Sequence, residues 1–447
     1  MRSLSLATYL LLCILLGGSV QGVWTNLALQ LLGIALMAFV ATAAIDGDLE
    51  SPRTAVIYAL ISCALLVVLL QLIPLPADMW TRLPGRSALA EGYTAIGYPT
   101  PALPISETPY VSVTTLFAAI PALATFSVTG KLRVAPRAIA LAIVLGMVLG
   151  IVVGALQVAG GPNSWAYFYR ITNRGGAVGF FANANHMATL LLVGIPMAAA
   201  LVASSKADQR SVPARYAIGG ALFLMILVGI ALNGSLASFV LVFPVLLASA
   251  SIVPTGRKWH RLALPVSIVA IIAGVGLLTT NPIPTSAIEA GASTSVTSRA
   301  EIWATTTKAV AATFPIGTGL GSFAQVYRQF ENPADITKEY VNHAHNDYLE
   351  IVLELGAAGA LLGIVFLLWW GIVAVRIWRS PLSTPFARAA TIATAAILAH
   401  SVVDFPLRTA AISTIFAALI ALMTQHLRSA RVAKDGELHT TRHIMLG

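Results

Sequence analysis

The stretch Val341–Gly356 reads VNHAHNDYLEIVLELG and continues directly into AAGALLGIVFLLWWGIVAV at 357–375. The second segment has no charged residue, and a helix needs about 20 apolar residues to cross the hydrocarbon core of a bilayer. We therefore predict a membrane-spanning helix over 350–375. The polar stretch, with two histidines, an aspartate and two glutamates, lies where a long loop enters that helix.

Similar apolar runs recur along all 447 residues, of which 57% are hydrophobic and 10% charged. In hydrocarbon, such runs must satisfy their own backbone hydrogen bonds, and they lack the alternating polarity of a barrel strand. The sequence thus predicts an all-α polytopic membrane protein. We place about twelve transmembrane helices at 4–20, 27–45, 54–73, 111–129, 138–160, 187–203, 216–232, 236–253, 262–280, 350–375, 389–403 and 410–427. The first follows Arg2, so a cleaved signal peptide is the alternative to a retained helix.

The distribution of Lys and Arg predicts the orientation of these helices. With a cytoplasmic N-terminus, the C-terminus is also cytoplasmic, as are the loops at 46–53, 130–137, 204–215, 254–261 and 376–388. Together these segments hold 18 of the 27 basic residues, which is the bias that the positive-inside rule describes. The same bias accounts for the net charge of +9, so we predict no nucleic-acid partner.

The predicted domain organisation is a single integral membrane domain over 1–447. Within it, 281–349 is a large outer loop and 428–447 is a cytoplasmic tail. The other outer segments are a proline-rich loop at 74–109, a connection at about 161–186, and turns at 233–235 and 404–408. Because the outer segments are elaborate and the cytoplasmic loops small, we expect chemistry or recognition at the outer face.

His345 is the first candidate for chemistry within the opening stretch. A neutral imidazole can accept a proton near neutral pH, and this one lies where membrane and outer aqueous phase meet. A structural, hydrogen-bonded histidine is the alternative. His343 and Asp347 alternate with His345 like metal ligands on an extended segment, but no further metal-type cluster accompanies them. We predict no metal ion.

The remaining polar residues of the stretch are predicted to support His345. The acids Asp347, Glu350 and Glu354 follow i, i+3, i+7 spacing, so they share one helical face. An equally simple explanation is that they complement the helix dipole while Asn346 or Asp347 caps the helix. The predicted supporting residues here are His343, Asn346, Asp347, Tyr348 and Glu350.

Arginines elsewhere in the outer segments suggest an anion site. Arg174 begins a glycine-rich approach to the sixth span, and Arg299 stands in Ser298-Arg-Ala-Glu-Ile-Trp303. The guanidinium group is a permanent charge with a planar fork suited to phosphate. Arg170 could join them, although snorkelling at the interface explains it better.

Two further motifs are predicted to assist. The glycines of Pro315-Ile-Gly-Thr-Gly-Leu-Gly-Ser-Phe323 lack the lysine and spacing of a nucleotide loop, so we expect them to allow a close backbone approach or a tight re-entry. His400 and Asp404 lie four apart at the outer end of the eleventh span, followed by Arg408. A local ion pair or a helix-end cap explains this pair adequately, and we assign these three residues a supporting role.

Several of these motifs resemble the bacterial O-antigen ligase and O-antigen or exopolysaccharide polymerase family. They are His345-Asn-Asp-Tyr-Leu-Glu350 with Glu354-Leu-Gly356, Ser298-Arg299 with Trp303, Gly317-Thr-Gly-Leu-Gly-Ser-Phe323, and Gly179-Phe-Phe-Ala-Asn-Ala-Asn185-His186. The layout is similar over most of the chain, and the specific residues concentrate between 174 and 408.

The resemblance implies a bundle of the C-type glycosyltransferase class in the bacterial inner membrane, with a large periplasmic loop before the signature histidine. Family members transfer a glycan from undecaprenyl diphosphate to an acceptor hydroxyl, with inversion and without a metal or cofactor. The acceptor is lipid A–core in ligases and another carrier-linked repeat unit in polymerases. By this resemblance, His345 activates or positions the acceptor hydroxyl, while Arg299, and less securely Arg174, contact the diphosphate; Asn185 is assigned a supporting role.

One turn departs from the family pattern. Many relatives carry a Ser-Arg or Thr-Arg pair between the seventh and eighth spans, where this chain has Asn233-Gly-Ser-Leu-Ala-Ser238. An arginine expected near the lipid carrier is therefore missing. Either Arg174 and Arg299 suffice, or the donor sits differently, or the activity is altered.

With this resemblance, the sequence predicts a membrane glycosyltransferase. The expected acceptor is a glycan or lipid A–core, and membrane lipid is expected to contact the protein. We favour a polymerase over a ligase, because the proline-rich first loop and the 324–341 insertion resemble exopolysaccharide-type relatives. A transporter or flippase for a lipid-linked glycan is the alternative, since solute carriers also have about twelve spans and a few buried charges. Against it, the charged residues gather at the outer surface rather than at mid-membrane.

Overall fold

The structure, a computed structural model, describes residues 2–20, 23–42, 52–132, 134–204, 212–253, 260–280, 289–333 and 341–426. Apart from the short antiparallel pair β1 (Pro74–Leu75) and β2 (Leu103–Pro104), its regular elements are helices. They are α1 (Arg2–Leu16), α2 (Trp24–Thr42), α3 (Pro52–Gln71), α4 (Ala77–Trp80), α5 (Ser87–Ala95), α6 (Pro109–Ala118), α7 (Ile120–Leu132), α8 (Pro136–Ala159), α9 (Ala184–Ser204), α10 (Val212–Asn233), α11 (Leu236–Ala250), α12 (His260–Thr280), α13 (Glu289–Thr313), α14 (Phe323–Phe330), α15 (Asp347–Arg379), α16 (Pro385–His400) and α17 (Ala410–His426).

A helix occupies each of the twelve positions predicted as spans. Within the described residues, five segments are long and apolar enough to cross a membrane: α2, α6 with α7 (Pro109–Leu132), α8, α9 and α15. Six shorter apolar helices and α16 occupy the other positions. The fold is that of an all-α membrane protein, and the number of twelve spans stays a prediction. The predicted tail at 428–447 and most of the predicted loops 46–53, 204–215 and 254–261 lie outside the described residues.

Helix α9 is the centre of the bundle and packs against α8, α10, α11 and α16. Four consecutive residues, Leu190 to Val193, are completely buried. Successive helical positions point about 100° apart, so this helix has neighbours on every side, as expected for a segment that is apolar all round. Its first residues, Ala184 to His186, thus begin the helix around which the bundle is packed.

Three glycines at four-residue spacing let helix α8 approach its neighbours closely. They are Gly146, Gly150 and Gly154, all buried on one face. A Cβ atom at Gly146 would lie 2.8 Å from the Ile14 side chain of α1, and one at Gly154 would lie 2.9 Å from Ala177. Small residues at such spacing permit the van der Waals contact on which helix association in a bilayer depends.

Helix α15 is kinked at Gly356, whose φ of 61° and ψ of −143° interrupt the helical hydrogen bonding. The loop Pro315–Gly321 supplies the missing partners: Gly319 N donates to Glu354 O at 2.8 Å, and Ala357 N donates to Pro315 O at 2.8 Å. A Cβ atom at Gly317 would lie 2.5 Å from Gly356 N. The close backbone approach predicted for this glycine pattern is confirmed.

The described parts of the five segments predicted on the outer side lie together at one end of the bundle. Glu107 N of the first loop donates to Thr318 O of the long loop at 2.8 Å. Asn233 Nδ2 donates to Ala177 O at 2.8 Å, which joins the 233–235 turn to the 161–186 connection. The 404–408 turn meets the long loop through the contacts described below. This end of the bundle therefore collects most of the polar side chains that the sequence singled out.

Candidate active site

The centre of the candidate site is the completely buried carboxylate of Asp404. Helix α16 ends at His400, and the chain then turns so that Asp404 N donates to His400 O at 3.0 Å. Phe405 N donates to one carboxylate oxygen, Oδ1, at 2.8 Å. These local bonds hold the carboxylate toward the segment that precedes α15.

Two candidate residues from distant parts of the chain face this carboxylate. His345 Nδ1 lies 3.4 Å from Asp404 Oδ1, and Arg299 Nη2 lies 3.7 Å from Oδ2. The side chains of His345 and Arg299 are 25% and 19% exposed, so each presents an edge to solvent while its other edge faces Asp404. The structure thus brings the predicted base and the predicted phosphate ligand to one acid.

The local electrostatics keep Asp404 ionised. Burial alone raises the pKa of a carboxyl group, because the charged form loses water. Here the facing groups His345, His186 and Arg299 outweigh burial and hold the pKa of Asp404 well below its ordinary value. A fixed negative charge therefore stands behind His345 and Arg299.

The backbone at His345 is unusual for a residue with a side chain. Its φ is +48°, in the left-handed region, which costs of order 1 kcal/mol for a residue other than glycine. Asn346 follows in an extended conformation and caps α15, its side chain accepting from Tyr348 N and Leu349 N at 3.0 Å each. The sharp change of direction before the helix turns the imidazole toward Asp404.

Asn185, at the start of α9, also binds Asp404. Its Nδ2 donates to Asp404 Oδ2, and its Oδ1 accepts from Ser235 Oγ at 2.7 Å. Asn233 Nδ2 donates to Ala184 O at 2.9 Å, which ties the same turn to α9. The turn that lacks the family arginine therefore still contacts the site, but through hydroxyl and amide groups.

Three imidazoles surround the ring of Phe405. His343 stacks on it at 4.1 Å between ring centroids, and His186 and His345 meet it edge to face at 4.9 Å each. His186 Nε2 also lies 3.8 Å from Asp404 Oδ1. Phe405 thus fixes the lateral position of the histidines while Asp404 orients two of them.

A second charged cluster lies beside the first and is centred on Arg408. Its guanidinium donates to both carboxylate oxygens of Glu354, at 2.9 and 3.2 Å, and Nη2 lies 3.4 Å from Glu350 Oε1. Nε lies 3.8 Å from Asp347 Oδ1. The three acids share one helical face and are almost fully buried, and they raise the pKa of Arg408 above its ordinary value despite burial. A permanently charged arginine therefore compensates the acids.

The two clusters are linked through the residues between them. His343 Nδ1 lies 2.8 Å from Glu350 Oε1, and Ala344 N donates to Glu350 Oε2 at 2.9 Å. Ser401 Oγ donates to Asp347 Oδ2 at 2.8 Å. Hydrogen bonds to Glu350 therefore hold the backbone before His345 against α15. The Ser401–Asp347 bond holds α15 against the 401–408 turn.

The other residues singled out from the sequence lie at or beyond the edge of this arrangement. Tyr348 Oη donates to Leu398 O at 2.9 Å, and His400 Nδ1 pairs with Thr189 Oγ1 at 2.8 Å. Arg174 is exposed, donates to Pro162 O at 3.0 Å and lies over the ring of Tyr167. The described contacts of Arg174 are thus with its own loop rather than with Arg299 or His345.

Sequence reasoning undervalued four residues of this site. Asp404 and Arg408 were given supporting roles, yet each is the centre of a cluster. His186 was quoted only as part of a motif, and Phe405 was assigned no role. The sequence did carry a signal for two of them. Asp404 and Arg408 lie in a short turn between two apolar segments, and burying such charges in a membrane protein costs free energy unless they are paired. Among the described residues, no group of three or more His, Cys, Asp or Glu has an arrangement that could hold a metal.

The fold and the site together define a polytopic helical membrane protein with a buried, multiply charged site at one end of its bundle. Residues 220–364 match the family model described as O-Antigen ligase, and this part of the chain is therefore similar to that family. The matched range includes Arg299, the Pro315–Gly321 loop and His345; Asn185, Asp404 and Arg408 lie outside it. No curated protein matches the chain.

Proposed function

We propose that the protein is a membrane glycosyltransferase that moves a glycan from undecaprenyl diphosphate to an acceptor hydroxyl at the periplasmic face of the inner membrane. The family match supports a membrane protein that transfers a glycan. The observation that carries the proposal furthest is the joint contact of His345 and Arg299 with the buried Asp404 carboxylate. A base for the acceptor and a cation for the leaving group are thereby held side by side.

In the proposed mechanism, His345 is the general base. Its Nδ1 faces Asp404, so the other ring nitrogen, Nε2, is the one left to take the proton of the attacking sugar hydroxyl. The ionised Asp404 then stabilises the imidazolium that forms, just as a buried carboxylate orients and stabilises a catalytic histidine in other enzymes. The hydroxyl oxygen attacks the anomeric carbon as the bond to the diphosphate breaks, with inversion and without a metal ion.

Arg299 is proposed to stabilise the departing diphosphate. Its Nη2 faces Asp404 Oδ2, whereas its buried Nε has no hydrogen-bond partner among the described residues. A buried donor without a partner is costly, and an anion beside it would remove that cost. Negative charge grows on the diphosphate during the reaction, so a cation already in place favours the transition state.

Arg174 remains part of the proposal as a second contact to the donor, although its described contacts are with its own loop. Its exposed position suits the distal part of a diphosphate or sugar rather than the bond that breaks. The polar turn Asn233–Ser235 occupies the place of the family arginine and acts on the site through Asn185. In this proposal, Arg299 is therefore the main residue that neutralises the negative charge of the donor diphosphate.

The direct test is an in vitro reaction of the purified full-length protein with a defined undecaprenyl-diphosphate glycan, offered either lipid A–core or a second carrier-linked glycan, and read by mass spectrometry. Wild-type protein should form a new glycosidic bond, and His345→Ala should abolish it while still folding. Full activity of His345→Ala would remove that residue from the catalytic role. Transport of the lipid-linked glycan across vesicles without bond formation would replace the proposal by a flippase.

The acceptor is decided by the same experiment. The matched family model is described as O-Antigen ligase, which supports the ligase alternative; lipid A–core is the acceptor proposed for that alternative. The polymerase prediction rested on the first outer loop and on the 324–341 insertion. The first outer loop is the segment that contains β1 and β2. Residues 334–340 of the insertion lie outside the described residues. In cells, a deletion strain that keeps single repeats on lipid A–core but loses long chains would favour the polymerase.

A further inference from the structure

A cleft of about 430 Å³ lies outside the site described above, between the first outer loop and helix α14. Its walls combine the charged side chains Arg86 and Glu107 with Gln329 of α14 and apolar side chains such as Leu89 and Leu103. This volume lies within the range of about 300–1,000 Å³ that is typical of small-molecule sites. Its walls thus offer both hydrogen-bonding groups and apolar surface to a ligand.

The charged groups of the cleft are fixed and mutually compensated. The guanidinium of Arg86 is only 5% exposed, donates to Ile105 O, and has its Nε 3.9 Å from Glu107 Oε1. Glu107 Oε2 in turn accepts from Gln329 Nε2 at 3.0 Å. Because the positive and negative charges face each other, the cleft does not select an anion. It offers donors and acceptors in about equal measure to a neutral polar ligand.

A saccharide is the neutral ligand that this lining suits. Each sugar hydroxyl both donates and accepts, which matches a guanidinium, a carboxylate and an amide within one cleft. The carbon-bearing faces of a sugar ring are apolar and can pack on Leu89 and on the Leu103–Pro104 strand. The carboxylate of Glu107 can accept from two adjacent hydroxyls, which is a frequent requirement in recognition of polyols.

The cleft is built onto the same scaffold as the candidate active site. Ser106 and Glu107 contact the Pro315–Gly321 loop, since Ser106 occupies the space that a Cβ atom at Gly319 would need. On α14, Gln329 faces the cleft, whereas Val326 and Tyr327 belong to the buried cluster that contains Ala344. Ala344 directly precedes His345. One helix, about 10 Å across with its side chains, thus separates the cleft from the His345 segment.

We propose that this cleft is a saccharide-binding subsite that holds sugars of the glycan chain away from the reacting hydroxyl. The inference rests on the proposed function, because it assigns the cleft to a substrate of the same site. A glycan whose reacting end lies at His345 would cross α14 and place a more distant sugar beside Arg86 and Glu107. The subsite would make transfer sensitive to glycan length.

The experiment uses full-length protein in lipid nanodiscs and labelled oligosaccharides of one, two and three repeat units, cut by mild acid from the surface polysaccharide of the host. Ala88→Trp fills the cleft from an exposed position of α5, and Gln329→Ala removes the amide. Gln325→Ala is the matched control, because it changes the same residue type on an exposed position of α14 that does not line the cleft. Elution on size exclusion and the midpoint of thermal unfolding check folding.

We expect wild-type protein to bind the longer fragments, and Ala88→Trp and Gln329→Ala to weaken that binding by about tenfold or more, which corresponds to the loss of one or two hydrogen bonds. Gln325→Ala should bind as wild type. If both cleft variants bind every fragment as wild type does, or if wild type binds none at millimolar concentration, the subsite inference is overturned.

The His345→Ala variant separates this inference from the proposed function. It should lose transfer but keep fragment binding, because the cleft does not include His345. If the wild-type protein binds fragments through the cleft but never forms a glycosidic bond, the proposed function is overturned and the subsite remains. Wild-type transfer that occurs equally well with one and three repeat units, or a length preference that both cleft variants keep unchanged, would overturn the subsite and leave the function.

Discussion

Asp404 Oδ1 lies 3.4 Å from His345 Nδ1, although His345 precedes helix α15 and Asp404 follows helix α16. The carboxylate is completely buried, and the imidazole is one quarter exposed. This arrangement is what the proposed role of His345 as a base requires, with an orienting carboxylate on one side of the ring and solvent on the other.

Replacing Asp404 by Asn should lower the rate of glycan transfer by about 10²–10⁴-fold, because the neutral amide neither orients His345 nor stabilises its protonated form. The loss should appear in kcat rather than in KM. Steady-state kinetics with defined donor and acceptor measure it. Asp78→Asn, on an exposed position of α4, is the control. A kcat within threefold of wild type, about 0.6 kcal/mol in barrier height, would show that Asp404 is only structural.

Removing the charge of Arg299 should weaken use of the diphosphate donor. We expect Arg299→Ala to reduce kcat/KM for the donor by about 10²-fold, as for the loss of one transition-state donor. Arg174→Ala should have a smaller effect, because that guanidinium is exposed and lies on Tyr167. Donor titrations of the two variants make the comparison. A larger loss in Arg174→Ala would reverse the assignment of the two arginines.

Breaking the Arg408 cluster should destabilise the protein. Arg408→Leu leaves three buried carboxylates without their cation, which typically costs about 3–5 kcal/mol. Thermal unfolding in detergent should show a lower midpoint. Combining Arg408→Leu with Glu354→Leu should recover part of the loss, because one unpaired charge is then removed. Equal midpoints for the single and double variants would argue against direct pairing.

The crossing of the Pro315–Gly321 loop over α15 should tolerate no side chain at Gly317. Gly317→Ala places a Cβ atom 2.5 Å from Gly356 N at a φ of +79°, and we expect about 2–4 kcal/mol of destabilisation from conformational strain and overpacking. Gly97→Ala is the matched control, since Gly97 also has a positive φ but open space around it. It should cost only about 1 kcal/mol. Equal losses would show that the close approach contributes nothing.

Asp404 should make stability depend on pH in the acid range. Its folded-state pKa is lowered by His345, His186 and Arg299 against the opposing effect of burial. The unfolded value is about 3.9. A depressed folded pKa adds stability that is fully present above the unfolded pKa and is lost as the pH falls through the folded one. The difference in unfolding midpoint between wild type and Asp404→Asn should therefore be constant from about pH 6 to 8 and shrink below about pH 4. A difference that grew on acidification would contradict this.

The sequence by itself determined the class of this protein. Apolar runs such as 357–375 partition into hydrocarbon whatever they later pack against, so composition and length alone predict an all-α membrane fold. Local patterns were equally sufficient for the i, i+3, i+7 face of α15 and for a helix cap at Asn346 or Asp347. Each of these depends on residues that are neighbours in the chain.

Only the tertiary structure decided which residues share the site. The pairing of Asp404 with His345, of Arg408 with Glu354, and of Asn185 with Ser235 depends on how α9, α15 and α16 pack, and no local pattern encodes those distances. The same packing placed His400 against Thr189 of α9. Burial then fixed the charges, because a carboxylate removed from water is tolerated only where a cation or a donor faces it.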